Sequence, residues 1–594
     1  MNMVVKSGSN DWRAGIKYFY EGEGLVSDNV DAELEEQGVT GRTANELLSD
    51  LDLQVGGPIV RDRAWFFVDY WNLKVRKEVL GLEERDRTRL RNWTVNVNAQ
   101  VTDNNKISGR YLYGNKYRNN RSARRSRPYL GRVQDSYSHI PQIQWQSVLS
   151  QNMFLDVRYA HVDSVWWLVR RWEPGGNEEG AVPSDIVATY DFGIGDYVVR
   201  ASLPGSEFIG DQARNSVSAT TSWYVTGEQT SHDVKFGVNY QDGDFFSPLN
   251  YPHGYRMYVD SRKDPMGNPN WAVGVPREVR LYNSPTDWVF DDAWQPDNAF
   301  DVEGYGFGLF AQDTLTVRNR LTLVGGIRWD FVTNWNPAQT RLDSPWCGME
   351  PLANPEMYCA ESFPEQPHAV TWKDLVPRVG AVYDVTGDGR WALKFNYSRY
   401  DEALALRFVG NLNINDIGRE DWNWTDSNGD GLFQFGEHTT FRDARFPGLG
   451  TAIDPELYSP FVNEITFGID HEIADNMLVA VTGIFRGMNN DTGSVDIGRP
   501  FGPMLDSARC RAECDPDMGS YTDPYVPVMS VDPGNDGIIG TADDGLPVTL
   551  WARDPAVAGD GNILGTNTTD WSFEDYTDYK GVSFVLQKRW ANNW

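Results

Sequence analysis

Apolar and polar residues alternate along this chain in paired runs, each pair joined by a few polar residues and separated from the next by a long irregular stretch. In VEGYGFGLFAQDTLTVRNRLTLVGGIRWDFV (302–332), Tyr305, Phe307, Leu309 and Ala311 share one face, while Gly304, Gly306, Gly308 and Gln312 share the other. Past a turn at Arg318 and Asn319 the pattern resumes, with Leu321, Leu323, Ile327, Trp329 and Phe331 opposite Thr322, Gly326, Arg328 and Asp330. A period of two held this long specifies strands with one apolar and one polar side. Short turns alternating with long loops specify an all-β antiparallel transmembrane barrel, with short periplasmic turns and long extracellular loops.

Sixteen such strands are predicted, beginning with WRAGIKYFYE (12–21) and ending with KGVSFVLQKRW (580–590). Between them, WTVNVNAQV places Trp93, Val95, Val97 and Val101 against Thr94, Asn96, Asn98 and Gln100. No apolar run approaches the ~18 residues of a membrane helix. The mean hydropathy of -0.51 does not oppose a barrel, because only alternate residues face lipid and polar loops dilute the average. A soluble β-propeller would show a repeat of about 40 to 50 residues, and none is visible.

The formal charge of -30 excludes nucleic acid as a partner in the absence of a broad basic face. One basic run from Arg118 to Arg132 interrupts the acidity, either as a solvated loop or as a contact for an acidic surface such as lipopolysaccharide or for an anionic ligand, and outer-membrane lipid is an expected partner of the barrel as a whole. Four cysteines form two local pairs in long loops, Cys347 with Cys359 and Cys510 with Cys514, and disulfides are expected of an exported chain. A zinc site is the alternative, but no His accompanies either pair.

The sharpest local motif is DSNGDGLFQFGE, which satisfies the calcium-loop pattern D-x-[DN]-x-[DN]-G-x5-E. Asp426, Asn428, Asp430, the carbonyl of Leu432 and Glu437 are its candidate ligands; the alternative is a turn, since no helices flank it. A second segment, Asp532 to Gly545, holds Asp532, Asn535, Asp536, Asp543 and Asp544 in no defined cage. Arg158, Arg328, Asp330, Arg378 and Lys394 fall on polar strand faces, hence toward the lumen, where they contact a plug or substrate or form a hydrated network. No catalytic constellation is present: His471 and Glu472 lack the second His of a zincin, the Gly304, Gly306 and Gly308 row opens no helix, and there is no G-x-S-x-G elbow or P-loop.

From GGPIVRDRAWFF (56–67) onward the chain resembles the barrel of the TonB-dependent receptors, in particular their Oar-like branch. NMVVKSGSN (2–10) is similar to the close of that family's plug. FAQDTLTVRNRLTLVGGIRWD (310–330), PRVGAVYDVTGDGRWALKFNYSRY (377–400), NEITFGIDHEI (463–473) and DYKGVSFVLQKRW (578–590) follow in the family's order. The resemblance implies residues 1–10 as the end of a plug domain and 11–594 as a transmembrane barrel. It also implies outer-membrane localisation, energy-coupled uptake of an unidentified ligand, and a TonB-type coupling protein acting through the plug. Because the family's barrels have about 22 strands, this chain is expected to be a fragment, its C-terminal strands missing. MNMVVKSGSN has no export signal, which points the same way. The first and last strands are then expected to stand as unpaired edges rather than to close a smaller barrel. The rival reading from another class is a soluble or surface-anchored β-protein that binds glycans through exposed Trp.

Overall fold

A strand pattern of period two becomes a wall when each strand bonds to the next, and in the computed structural model of this chain sixteen strands do so in one sheet. The structure describes residues 6–27, 30–37, 44–79, 85–121, 132–170, 187, 189–193, 196–199, 208–248, 254–261, 275–283, 299–410, 413, 415, 417–445, 451–454, 457–496, 525–531, 546–553, 563–567 and 577–590. The wall strands are β1 (Arg13–Gly22), β2 (Ala44–Val60), β3 (Ala64–Glu78), β4 (Asp86–Thr102), β5 (Asn105–Arg121), β6 (Arg132–Ser150), β7 (Met153–Arg170) and β8 (Phe208–Thr226). They continue as β9 (Thr230–Pro248), β10 (Ala299–Val317), β11 (Leu321–Asn336), β12 (Gln366–Asp384), β13 (Trp391–Asp401), β14 (Phe461–Ala474), β15 (Met477–Asn489) and β16 (Thr577–Lys588). Each pairs antiparallel with its neighbours in chain order. Among the described residues no ladder joins β1 to β16, so the sheet is open, as the sequence led us to expect.

Register places the apolar rows side by side. Leu309 lies opposite Trp329 and Val238, Phe307 opposite Phe331 and Tyr240, and these side chains form the outer face. Leu309, Ile327, Trp329, Phe395, Phe467 and Phe485 are all exposed, which only a lipid environment accommodates over so wide an area. Glycines 306 and 308 on the inner face are buried. The turn after β10 shows why the hairpins are tight. Arg318 and Asn319 have φ of 50° and 54°, and Arg320 N donates to Val317 O at 3.0 Å, the type I′ geometry whose twist matches that of paired strands.

The strands run longer than the alternation predicts. In β4 the apolar row covers Trp93 to Val101, yet pairing extends back to Asp86, because the outer positions Arg87, Arg89 and Arg91 keep the ladder after the apolar row ends. About ten tilted residues cross the hydrocarbon. Strands of 17 to 19 residues such as β4, β6 and β8 therefore project beyond it on the long-loop side.

The long loops are also less irregular than expected. Three of them contribute to a second, six-stranded sheet in the order His438–Arg445, Arg419–Trp424, Val275–Tyr282, Tyr255–Asp260, Thr189–Asp191, Asp196–Val199. Alternation could not reveal these strands, because they are only three to eight residues long and the local pair that each loop supplies is joined to the others only across loops.

If the outer face meets lipid, Ile327→Arg, near mid-height, costs about 2–4 kcal/mol of folding free energy, whereas Thr322→Arg on the inner face costs under about 1 kcal/mol. Denaturant titration in lipid vesicles measures both, and equal costs would show the faces misassigned.

Candidate functional site

The polar inner faces of β4 to β11 surround an open cavity of about 1030 Å³, lined among others by Arg110, Arg158, Gln241, Arg328 and Asp330. Arg328 bonds both oxygens of Asp330, at 2.6 and 2.7 Å, and reaches Asn239 Oδ1 at 2.9 Å. Arg158 pairs with Asp156 at 2.6 Å. Glycine at 308 is required by this arrangement: a Cβ there would lie 2.5 Å from Asp330 Oδ1 and 2.9 Å from Arg328 Cζ. Residues 6–10 run along the same inner face near the short turns. Asn96 Nδ2 donates to Lys6 O at 2.9 Å, and Asn10 Oδ1 accepts from Trp65 Nε1 at 2.8 Å.

At the opposite end the loops fuse into a cap with its own core, in which Val279, Leu281 and Tyr358 are fully buried beside Trp346, Trp422 and Trp424. The loop between β11 and β12, a fourth, is closed by a disulfide between Cys347 and Cys359 and bonds to both ends of the described part of the β9–β10 loop. Trp346 Nε1 donates to Gly254 O at 2.7 Å, and Ser344 Oγ to Tyr282 O at 2.9 Å. Glu420, with no exposed surface, accepts from the N–H groups of Ala353 (3.1 Å) and Asn354 (2.8 Å) and from Trp422 Nε1 (2.9 Å). A buried carboxylate is stable only with such donors. Beside it, burial disfavours the charge of Arg280, but Asp421, Tyr258 and Glu278 outweigh this and raise its pKa.

A second apolar cluster attaches the connection after β13 to the inner wall. The short helix Leu406–Gly410 lies there, with Leu404, Val409 and Leu457 packed on Val302, Val370 and Trp372. Trp372 Nε1 donates to Leu457 O at 3.1 Å.

The calcium-pattern segment forms the bend between the cap strands Arg419–Trp424 and His438–Arg445. Gly429 and Gly431 both have φ of 78°, which lets the chain wrap around its own side chains. Asp426 accepts from Gly429 N (2.7 Å) and Gly431 N (2.8 Å), Asp430 from Leu432 N (2.8 Å), and Glu437 from Ser427 N and Gln434 N (2.9 Å each). Burial alone would raise the Glu437 carboxyl, but the donors Gln434 and Ser427 hold it below its ordinary value. The Tyr255 hydroxyl facing the loop is pushed up to about 12, by burial first and then by Asp430 and Glu437. Burial lowers the pKa of His438 against the pull of Glu420. The carboxylates of Asp426, Asp430 and Glu437 do not all come within 4.8 Å of one another.

Residues 81–593 match the outer membrane beta barrel domain family. The chain belongs to that family. Its wall is the wall of an outer-membrane barrel, and its place is the outer membrane. No curated protein matches it. Solved structures similar to it include the outer membrane transporter YddB from Escherichia coli, at 11% identity and a TM-score of 0.49, covering 82% of this chain and 53% of that one. The siderophore receptor PirA from Acinetobacter baumannii is similar at 10% identity and a TM-score of 0.48, covering 98% and 60% respectively. The hemophore receptor HasR from Serratia marcescens, solved with its hemophore HasA and heme, is similar at 9% and 0.43, covering 92% and 60%. The chain thus spans 53% to 60% of the length of these structures.

In this outer-membrane barrel, Arg158, Arg328 and Asp330 gather at one cavity. Arg378, opposite Gly326, and Lys394, bonded to Asp470, stand further round the same inner face. Cys347 and Cys359 are bonded to each other, which leaves no thiolate there for zinc. Cys510, Cys514 and the segment 532–545 lie outside the described residues, as does most of the basic run; Arg118, at its start, pairs inward with Asp86 at 2.6 Å. His471, at its strand end, stacks on Trp391 with ring centroids 3.8 Å apart. Sequence reasoning missed Glu420 and the cap core altogether. Its one available signal was the crowding of Trp422 and Trp424 with acidic residues inside a loop.

Removing the buried carboxylate in Glu420→Ala leaves three donors unsatisfied, at about 1–3 kcal/mol each. Limited proteolysis is expected to cut within 337–365 and 419–445 while the wall keeps its heat-modifiable migration; an unchanged cleavage pattern would show that Glu420 does not hold the cap.

Proposed function

We propose that this chain is the barrel portion of a TonB-dependent outer-membrane receptor, of the Oar-like branch, that takes up an unidentified ligand. The ligand binds at the outer loops and passes inward when an energised TonB-type partner moves a plug. The observation that carries this reading is the combination of a wide polar lumen with a folded cap whose connection packs on the inner wall. A cap with its own core presents a fixed surface to a ligand, and a lumen lined by hydrogen-bonding groups replaces water around a polar solute as it passes. The segments that resemble the family, 310–330 and 377–400, lie in β10 to β13; β11 contributes Arg328 and Asp330 to the lumen, and the connection after β13 packs on the inner wall.

Nothing among the described residues of the cap favours the glycan-binding alternative: its tryptophans Trp346, Trp422 and Trp424 are 7%, 7% and 4% exposed and serve as cap core.

The reading is tested in the source bacterium by deleting the gene and comparing growth on limiting iron chelates, cobalamin, saccharides and peptides. Loss of growth on one nutrient class is expected, reproduced by deleting the coupling protein. Wild-type growth on every class would defeat the reading.

Asp426–Glu437 we assign as a calcium loop within the cap, on the spacing of Asp426, Asn428 and Asp430 and the wrapped backbone of Gly429 and Gly431. Calcium is expected to slow proteolysis between 421 and 440 in the wild type and to have no effect on Asp426→Ala/Asp430→Ala. If calcium gives the wild type no protection, the loop is a turn held by its own hydrogen bonds.

A further inference from the structure

The outer face of β3 and β4 changes character at one height. Reading β3 toward the long loops, Phe66, Val68 and Tyr70 give way to Asn72, Lys74 and Arg76; on β4, Val97, Val95 and Trp93 give way to Arg91, Arg89 and Arg87. The change falls at Tyr70 and Trp93, whose rings meet at 4.4 Å between centroids, with the Tyr113 and His139 pair at 5.0 Å continuing the belt on the next two strands. An aromatic belt of this kind marks the edge of the hydrocarbon, so the next residues outward stand in the headgroup layer of the outer leaflet.

All but Asn72, which lies opposite Arg91, are cations, and two of the three pairs set cation against cation. Lys74 lies directly opposite Arg89, and Arg76 opposite Arg87. Like charges opposite one another weaken a sheet, so this pairing needs a counterion. The protein supplies little of one. Arg76 meets Glu46 at 2.8 Å, and Arg85 is shared between Glu46 and Glu78. Asp135, two strands away on the same face, accepts from Asn115 at 2.6 Å, and Asp86 points inward to Arg118. Among the described residues Lys74, Arg87 and Arg89 have no acidic partner, and Arg91 reaches only the amide oxygen of Asn115, at 3.3 Å. The Nε groups of Arg89 and Arg91 are buried and have no acceptor.

Elsewhere around the wall the sign reverses. At the same level on β8, β9 and β10, above Tyr240 and Tyr305, the outer face carries Asp211, Asp242, Asp244, Asp301 and Glu303. A collar adapted only to water would not need its two signs separated in this way.

We propose that the outer face of β3 and β4 seats a phosphate-bearing lipid of the outer leaflet. Arg89 and Arg91 present their guanidinium forks to phosphate oxygens, and Lys74 and Arg87 supply flanking charge. The acyl chains then lie along Val68, Val95 and the aromatic belt below. This inference needs only the outer-membrane barrel and holds whatever the barrel transports.

The test uses the full chain in nonionic detergent, with diphosphorylated lipid A as probe and native mass spectrometry as readout. Wild type is expected to bind, and Arg89→Gln/Arg91→Gln to bind about thirtyfold more weakly, the effect of two cations at a membrane surface. Lys106→Gln/Arg110→Gln, which removes two lumen cations, should bind as wild type does. Fully dephosphorylated lipid A should fail to compete, and inorganic phosphate at equal concentration should not displace the lipid. Equal binding by the two double variants would overturn the proposal, as would displacement by inorganic phosphate, which would make this a free-anion site. Folding is not expected to fail, since the outer-face variant relieves a like-charge contact. As a second readout, lipid A should raise the thermal stability of wild type but not of Lys74→Gln/Arg87→Gln, and equal stabilisation would count against the site.

Discussion

A peptide group in hydrocarbon has no water to bond, and each one left unpaired costs several kcal/mol, so every strand of this wall must satisfy its N–H and C=O groups through its two neighbours. The rest of the architecture follows from that demand. Regular pairing fixes the pleat, and the pleat sends alternate side chains to lipid and to lumen. The sequence can then be apolar at every second position and polar between, as it is from Tyr305 to Phe331. The demand also explains the tight turns: at Arg318 and Asn319 the chain accepts two positive φ angles outside glycine so that the ladder continues to the hairpin end.

Above the membrane the constraint relaxes and a different physics takes over. Water can satisfy loop backbone there, so nothing forces the loops into a sheet. They fold because Trp346, Tyr358, Trp422 and their neighbours can leave water together, and because the disulfide between Cys347 and Cys359 limits the freedom of one loop before it docks. The wall supplies the anchor points and the cap core joins what they hold apart. Glu420 belongs to this second regime: its donors come from the disulfide-closed loop and from its own strand, so one side chain registers two loops against each other.

The division decides what could be read from the sequence. All sixteen wall strands were legible, because alternation is local and each hairpin carries its own turn. Their outer ends were not, since Arg87, Arg89 and Arg91 continue the period of two in charge rather than in hydrophobicity. The inner-face positions of Arg158, Arg328 and Asp330 were legible by parity alone. The cap was not, because its strands are short and the pairs that three separate loops supply become one sheet only where they meet across loops. The Asp426–Glu437 pattern was plain to see, but its position as a bend joining two cap strands is a property of the fold.

The glycine at 308 has a consequence for the bore of the wall. With no side chain at that position, the Arg328 and Asp330 pair lies flat across the neighbouring strand, its guanidinium occupying the space where a Cβ would stand. An ion pair laid along a surface keeps its charges bonded to each other without narrowing the opening beside it. Here the free space beside the pair is set by what the chain omits at one position, and its polarity by groups folded into the omission.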